Sequence, residues 1–208
     1  METPIKLYRN PKSGHCHRVQ LMLSLLDLPY ETVDLDMANG AHKAADYLRL
    51  SPLGQVPAID DNGTTLSDSN AILIYLAEKY ADSAVWLGST PLERAHIQRW
   101  LSIAAGEIAS GPAAARLVAL FGANLDQAAA IAKAHTLFAA IESNLGESRF
   151  LATDRLTIAD IAAYSYIAHA PEGGVSLSSY PKIREWLARI ESTPRFVGMA
   201  RSPVPVTS

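Results

Sequence analysis

The spacing of hydrophobic residues changes along this chain. Near the amino end Ile5 and Leu7 alternate with polar neighbours, the period of a half-buried strand. After a loop, Val19, Met22, Leu23 and Leu26 recur at helical spacing until Leu28-Pro29 stops them, and residues 30–35 return to a period of two. Strand, helix, strand in that order predicts a parallel pair joined by a right-handed crossover. A connecting helix comes next, then two short strands at 56–59 and 64–67 joined through Asn62-Gly63, a dipeptide suited to a tight hairpin. Because Pro57 cannot donate to a sheet ladder, the strand it heads is expected at an edge or a special bend, where an extended ligand can pair. The polar cluster Ser67-Asp68-Ser69-Asn70 then opens a helix predicted over 70–80.

Beyond Tyr80 the strand pattern disappears and alanine becomes abundant. Residues 81–89 read as a linker. Thr90-Pro91-Leu92-Glu93 sets a capping hydroxyl, a proline at the first helical position and a glutamate three residues on, a capping box that starts a helix. Further helices are predicted over 124–145 with Gly146 as terminator, from Thr157, and over 181–190 with Ile183, Trp186, Leu187 and Ile190 as the buried stripe. Thr157-Ile158-Ala159-Asp160 is a second capping box, whose role is folding rather than chemistry. The expected fold is α/β plus all-α. A thioredoxin-like domain spans residues 1–80, a linker 81–89, and a helical bundle domain 90–208.

Composition narrows the class. With 49% hydrophobic and 19% charged residues, 208 residues can build a packed core, and a net charge of −3 without a run of Lys or Arg argues against a nucleic-acid partner. The single cysteine, Cys16, cannot form an internal disulfide, and the first residues lack a basic region followed by a long apolar core, so a cytoplasmic address is expected. The longest uninterrupted apolar run, residues 71–77, is about a third of the ~20 residues a bilayer requires, so no membrane span is expected.

In a thioredoxin-like fold the working corner is the loop from the first strand into the first helix, here Asn10-Pro11-Lys12-Ser13-Gly14-His15-Cys16-His17-Arg18. Redox members of that fold carry C-x-x-C at this corner; here the spacing is Ser13-x-x-Cys16, so two-thiol exchange within one chain is unavailable. Ser13 is placed to cap the helix or to donate a hydrogen bond to a ligand. Cys16, three residues in, matches the inward member of the pair and reads as a small hydrophobe, with a reactive thiol as the alternative. His15, Cys16 and His17 fan out by ~100° each on a helix, so they do not converge on a metal ion, and no metal is expected. The helix start at Asp68 and Ser69, with free N–H groups, attracts a carboxylate; it is equally a simple cap.

Pro52-Leu53-Gly54-Gln55-Val56-Pro57 running into Asp68-Ser69 resembles the glutathione-binding half of cytosolic glutathione transferases, and Glu93-Arg94-Ala95 with Trp100 and the box at Thr157 resemble the starts of that family's fourth and sixth helices. The resemblance, to bacterial serine-type members with a theta-, zeta- or tau-like motif, covers the chain from Lys6 to about Met199. It implies a cis Val56-Pro57 peptide, with Val56 pairing its backbone to the cysteinyl unit of glutathione and Asp68 and Ser69 holding the γ-glutamyl end. It implies that His42 contacts the glycine carboxylate, or that Lys43 beside it supplies the cation instead, with Gln55 donating to the same region. It further implies that Ser13 favours the glutathione thiolate, which attacks a small electrophile as in detoxification, with glutathione as co-substrate and a homodimer as the assembled form. The second substrate is expected beside the loop of residues 8–13 and the helices after Thr90, with Gly106, Gly111 and Pro112-Ala113-Ala114-Ala115 giving a bend. Alternatives are a glutathione-dependent isomerase or peroxidase, a non-catalytic glutathione-binding protein of the same fold, and a disulfide reductase working through Cys16.

Overall fold

The computed structural model describes residues 3–203. Contacts divide the chain into two units, residues 1–83 with 194–200, and 84–193 with 201–208.

In the first unit the described residues form a four-stranded sheet in the order β2-β1-β3-β4, from β1 (Ile5–Arg9), β2 (Tyr30–Asp34), β3 (Ala58–Asp61) and β4 (Thr64–Ser67). β1 runs parallel to β2, with Ile5 opposite Tyr30, and antiparallel to β3, with Leu7 opposite Ile59. The predicted crossover is α1 (Gly14–Leu25), and the connecting helix is α2 (Ala45–Leu50) after a 3-10 turn at Ala41–Lys43. Asn62 and Gly63 both take positive φ, as a tight hairpin requires. β3 starts at Ala58 and lies inside the sheet. Val56 and Pro57 therefore precede it rather than forming its edge, a correction to the expected 56–59 strand. The ladder can accommodate this because Pro57, which has no N–H, stays outside it. α3 (Ser69–Tyr80) packs on α1 and buries Ile72, Leu73, Leu76 and Ala77.

The second unit is helical. Its first helix, α4 (Ser83–Leu87), occupies part of the expected linker. α5 (Pro91–Ile103) is capped by Thr90, whose hydroxyl accepts from Glu93 N at 3.2 Å, but Glu93 reaches one residue further back than a capping box would, taking the N–H of Ser89 at 2.8 Å. α5 continues through wide π-helical turns at Ala104–Ala113 into α6 (Ala114–Phe121). Pro112, which cannot supply the regular i to i−4 bond, lies in those turns, so the expected bend is taken up as a widened helix. The continuous stretch Pro91–Phe121 is thus long and apolar enough, by length and composition, to cross a bilayer, which the short apolar run in the sequence did not suggest. Ile97, Trp100, Leu101, Ala104 and Ile108 are buried in the bundle, the setting of a core helix.

α7 (Gln127–Glu147) starts later than expected because Asp126 caps it, accepting from Ala129 N at 2.9 Å, and it runs through Gly146, the expected terminator. α8 (Ile158–Ala168) opens on the Thr157–Asp160 box; the fully buried Asp160 also accepts from Leu151 N and Trp186 Nε1, both at 2.9 Å. α9 (Pro181–Glu191) buries the predicted stripe. Residues 194–200 belong to the first unit, where the sequence placed them with the helical domain. Val197 O lies 2.8 Å from His17 Nε2, Arg195 O accepts from Ser24 Oγ at 2.7 Å, and the Arg195 side chain pairs with Asp27 at 2.8 Å.

Candidate functional site

Three short segments of the first unit carry the residues singled out from the sequence. The first is the corner between β1 and α1. Asn10 holds the loop, its carbonyl accepting from Ser13 N at 3.0 Å and its side chain from Lys12 N at 2.9 Å. Ser13 is half-buried, has extended backbone, and caps α1 by accepting from Cys16 N at 3.4 Å. A hydroxyl has two lone pairs and a rotatable proton, so accepting that N–H leaves the proton to donate elsewhere. Cys16 is 0% exposed and its Sγ accepts from Asn10 N at 3.4 Å. Burial pushes its thiol up to about 11, against the opposing hydrogen bonds of Ser13 and Asn10, so the thiolate is scarce at neutral pH. These surroundings favour the small-hydrophobe reading of Cys16 over the reactive thiol.

The second segment joins α2 to β3. The Val56-Pro57 peptide is cis. Tyr47 donates to Gln55 O at 2.7 Å, and Gln55 N donates to Ser51 Oγ at 3.2 Å, which leaves the Gln55 side chain exposed. Gly54 takes φ +61°, and a Cβ there would lie 2.7 Å from His42 O and 2.8 Å from Lys43 Nζ. The absence of a side chain at Gly54 lets the 3-10 turn and the loop before β3 close on each other. Lys43 Nζ donates to Leu53 O at 3.2 Å, while Nδ1 of the half-buried His42 is enclosed with no hydrogen-bond partner among the described residues.

The third is the start of α3. Asp68 is in the left-handed region, φ 74° and ψ 119°, and its Oδ1 accepts from both Asn70 N at 3.0 Å and Ala71 N at 2.9 Å. Such a conformation costs a non-glycine residue of order 1–3 kcal/mol and is concentrated where ligands are held. Ser69 is buried, and its hydroxyl accepts from Arg18 Nη1 at 3.1 Å and lies 3.5 Å from His15 Nδ1. Burial and then the neighbouring Arg18 charge press the His15 pKa down to about 3, which keeps the imidazole neutral. Arg18 and His15 bring α1 to the Asp68-Ser69 turn. Neither was singled out from the sequence as a site residue; the signal for Arg18 was only that it follows the apolar phase of α1.

Comparisons with known proteins agree with this layout. The family model described as the glutathione S-transferase amino-terminal domain matches residues 3–78, and the carboxy-terminal domain model matches residues 117–194. Glutathione S-transferase 3 of Zea mays is 32% identical over 93% of this chain and 91% of its own length. Glutathione S-transferase GstB of Escherichia coli (strain K12) is 28% identical over 96% and 99%. Among solved structures, a glutathione S-transferase from Pseudomonas fluorescens superposes with TM-score 0.88 at 32% identity, covering 95% of this chain and 99% of that one. Glutathione transferase F2 from Populus trichocarpa superposes at 0.80 with 31% identity, covering 92% and 95%.

Proposed function

This chain belongs to the glutathione S-transferase family, and from that premise we propose that its first unit binds glutathione with the sulfur facing Ser13 Oγ and transfers that sulfur to a small electrophile. The observation that carries the reading is the hydroxyl of Ser13, half-buried at the amino end of α1, with one lone pair given to Cys16 N and a rotatable proton that can turn from Cys16 Sγ to a bound sulfur. That proton favours the thiolate over the thiol. The glutathione thiol releases its proton to solvent, the sulfur lone pair forms a bond to the electrophilic carbon, and the leaving group departs with the bonding pair. Lowering a thiol pKa from ~8.5 to ~6.5 takes about 2.7 kcal/mol, within reach of one charge-assisted hydrogen bond and a helix dipole.

The other contacts follow the same seating. The Val56 backbone pairs with the cysteinyl unit; the second carboxylate oxygen of Asp68 takes the γ-glutamyl ammonium; the hydroxyl and backbone N–H of Ser69 take its carboxylate. His42, or Lys43 beside it, takes the glycine carboxylate, with the exposed side chain of Gln55 donating to the same region. Family membership also supports a homodimer in the cytoplasm, which light scattering reads as twice the chain mass. Replacing Ser13 by Ala is expected to lower kcat with a model aryl halide by about 10²-fold while KM for glutathione changes less than about threefold. Ultraviolet titration of bound glutathione should show its thiolate forming at higher pH in the variant. Wild-type turnover and an unshifted titration in Ser13→Ala would refute the assignment.

A further inference from the structure

Arg18 is 1% exposed, five residues beyond the cap of α1, and its Nη1 donates to two oxygens on the first turn of α3: Ser69 Oγ at 3.1 Å and Asn70 Oδ1 at 2.8 Å. Burying a guanidinium costs several kcal/mol, and an aliphatic side chain would fill the same space between α1 and α3 without that cost. What the arginine adds is one planar nitrogen whose two N–H bonds diverge at a fixed angle, one to each acceptor, and a fixed positive charge. Its two acceptors are the residues immediately after Asp68, the cap of α3. Ser69 Oγ has one lone pair on Arg18, and the proton of its hydroxyl is thereby turned away from the guanidinium.

We propose that Arg18 is a positioning residue for glutathione: by fixing Ser69 and Asn70 it presents the hydroxyl and backbone N–H of Ser69 to the γ-glutamyl carboxylate, and so sets the preference for a thiol that carries a γ-glutamyl group. This rests on the glutathione reading given above and adds to it a residue that touches no part of the ligand. His15 Nδ1 lies 3.5 Å from the Ser69 hydroxyl, at the limit of a hydrogen bond, and the neutral imidazole adds no charge there. The charge of Arg18, enclosed in protein, is weakly screened and adds to the field of the α1 and α3 amino ends.

The test compares kcat/KM for glutathione and for cysteinylglycine, which has the same thiol and glycine but no γ-glutamyl group, using one aryl halide and subsaturating thiol. Arg18→Gln should raise KM for glutathione by about 10-fold or more with kcat within about threefold, leave the pH at which the bound thiolate forms unchanged, and leave kcat/KM for cysteinylglycine near wild type. Arg18→Lys, which keeps the charge and loses the planar nitrogen with its fixed N–H angle, should recover part of the loss. Asn70→Ala removes one acceptor without touching the buried charge and should weaken glutathione about 3-fold to 10-fold with no effect on the dipeptide; it decides the matter should Arg18→Gln fail to fold. Equal losses for both thiols, or glutathione kinetics unaltered in these variants, would overturn the role of Arg18 alone. A wild-type protein that binds no glutathione would overturn the underlying reading with it.

Discussion

A hydroxyl at a helix start can be spent entirely on its neighbours or shared with a ligand, and at Ser13 the geometry permits sharing: one lone pair meets Cys16 N, and the proton, within reach of Cys16 Sγ, can rotate to a bound sulfur. Cys16 has the opposite character. It is enclosed, and its thiol is pushed up to about 11 by burial first, which disfavours the thiolate. Cys16→Ala is therefore expected to keep glutathione turnover within about twofold and to cost about 1 kcal/mol of stability for the vacated volume. In the folded wild type, a disulfide reagent such as dithionitrobenzoate should react far more slowly than in denaturant. Fast labelling coupled to loss of turnover would reinstate a thiol mechanism. Ser13 and the inward Cys16 were legible because the spacing from strand to helix fixes which side chain stands at the cap. Arg18 was not legible as a positioning residue. Its partners on α3 lie 51 and 52 residues away in sequence, and an arginine on a helix normally reads as a solvated face. Nor was the strained backbone of Asp68, since aspartate is an ordinary cap whatever its φ.

At the scale of elements, starts written in local chemistry were read well and those supplied from elsewhere were not. Thr90 and Thr157 carry their own capping oxygens, and both helices begin where the sequence put them. α9 is different: Tyr180 offers no side-chain cap, and the orphan N–H groups of Lys182 and Ile183 are instead taken at 2.8 and 2.9 Å by the two carboxylate oxygens of Glu142, about 40 residues earlier on α7. A carboxylate at that end also meets the positive pole of the helix. Glu142→Ala should thus destabilise the helical unit by about 1–2 kcal/mol, lowering its melting temperature by roughly 2–8 °C, with Glu142→Gln losing less. An unchanged melt in Glu142→Ala would mean that water satisfies those amides as well as the glutamate does. The misplaced limits of α7 have a simpler origin. Asp126 outcompetes Asn124 as cap, and Gly146 takes helical backbone in open space, where a missing side chain gives no reason to stop.

At the scale of the whole molecule, the change of hydrophobic period marked where the sheet-bearing part ends, but no period marks residues 194–200, which have no regular structure and yet belong to the first unit. Composition cannot show such a return because the segment is held largely through backbone: the carbonyl of Arg195 accepts from the side chain of Ser24, that of Val197 lies against His17, and any residue has a carbonyl. His17 is buried, so its contact with Val197 O is shielded from competing water and should contribute on the order of 1 kcal/mol to holding the strap down. Because protease susceptibility follows the population of the open form when closing is fast, trypsin should cut after Arg195 about fivefold faster in His17→Phe, which keeps a similar ring and loses the hydrogen bond. Mass spectrometry of the fragment ending at Arg195 measures that rate, and circular dichroism checks that the rest of the fold is intact. Equal cleavage in the two proteins would show that the Arg195–Asp27 pair and the Ser24 hydroxyl suffice to hold the segment, and that the buried histidine serves only to fill space under it.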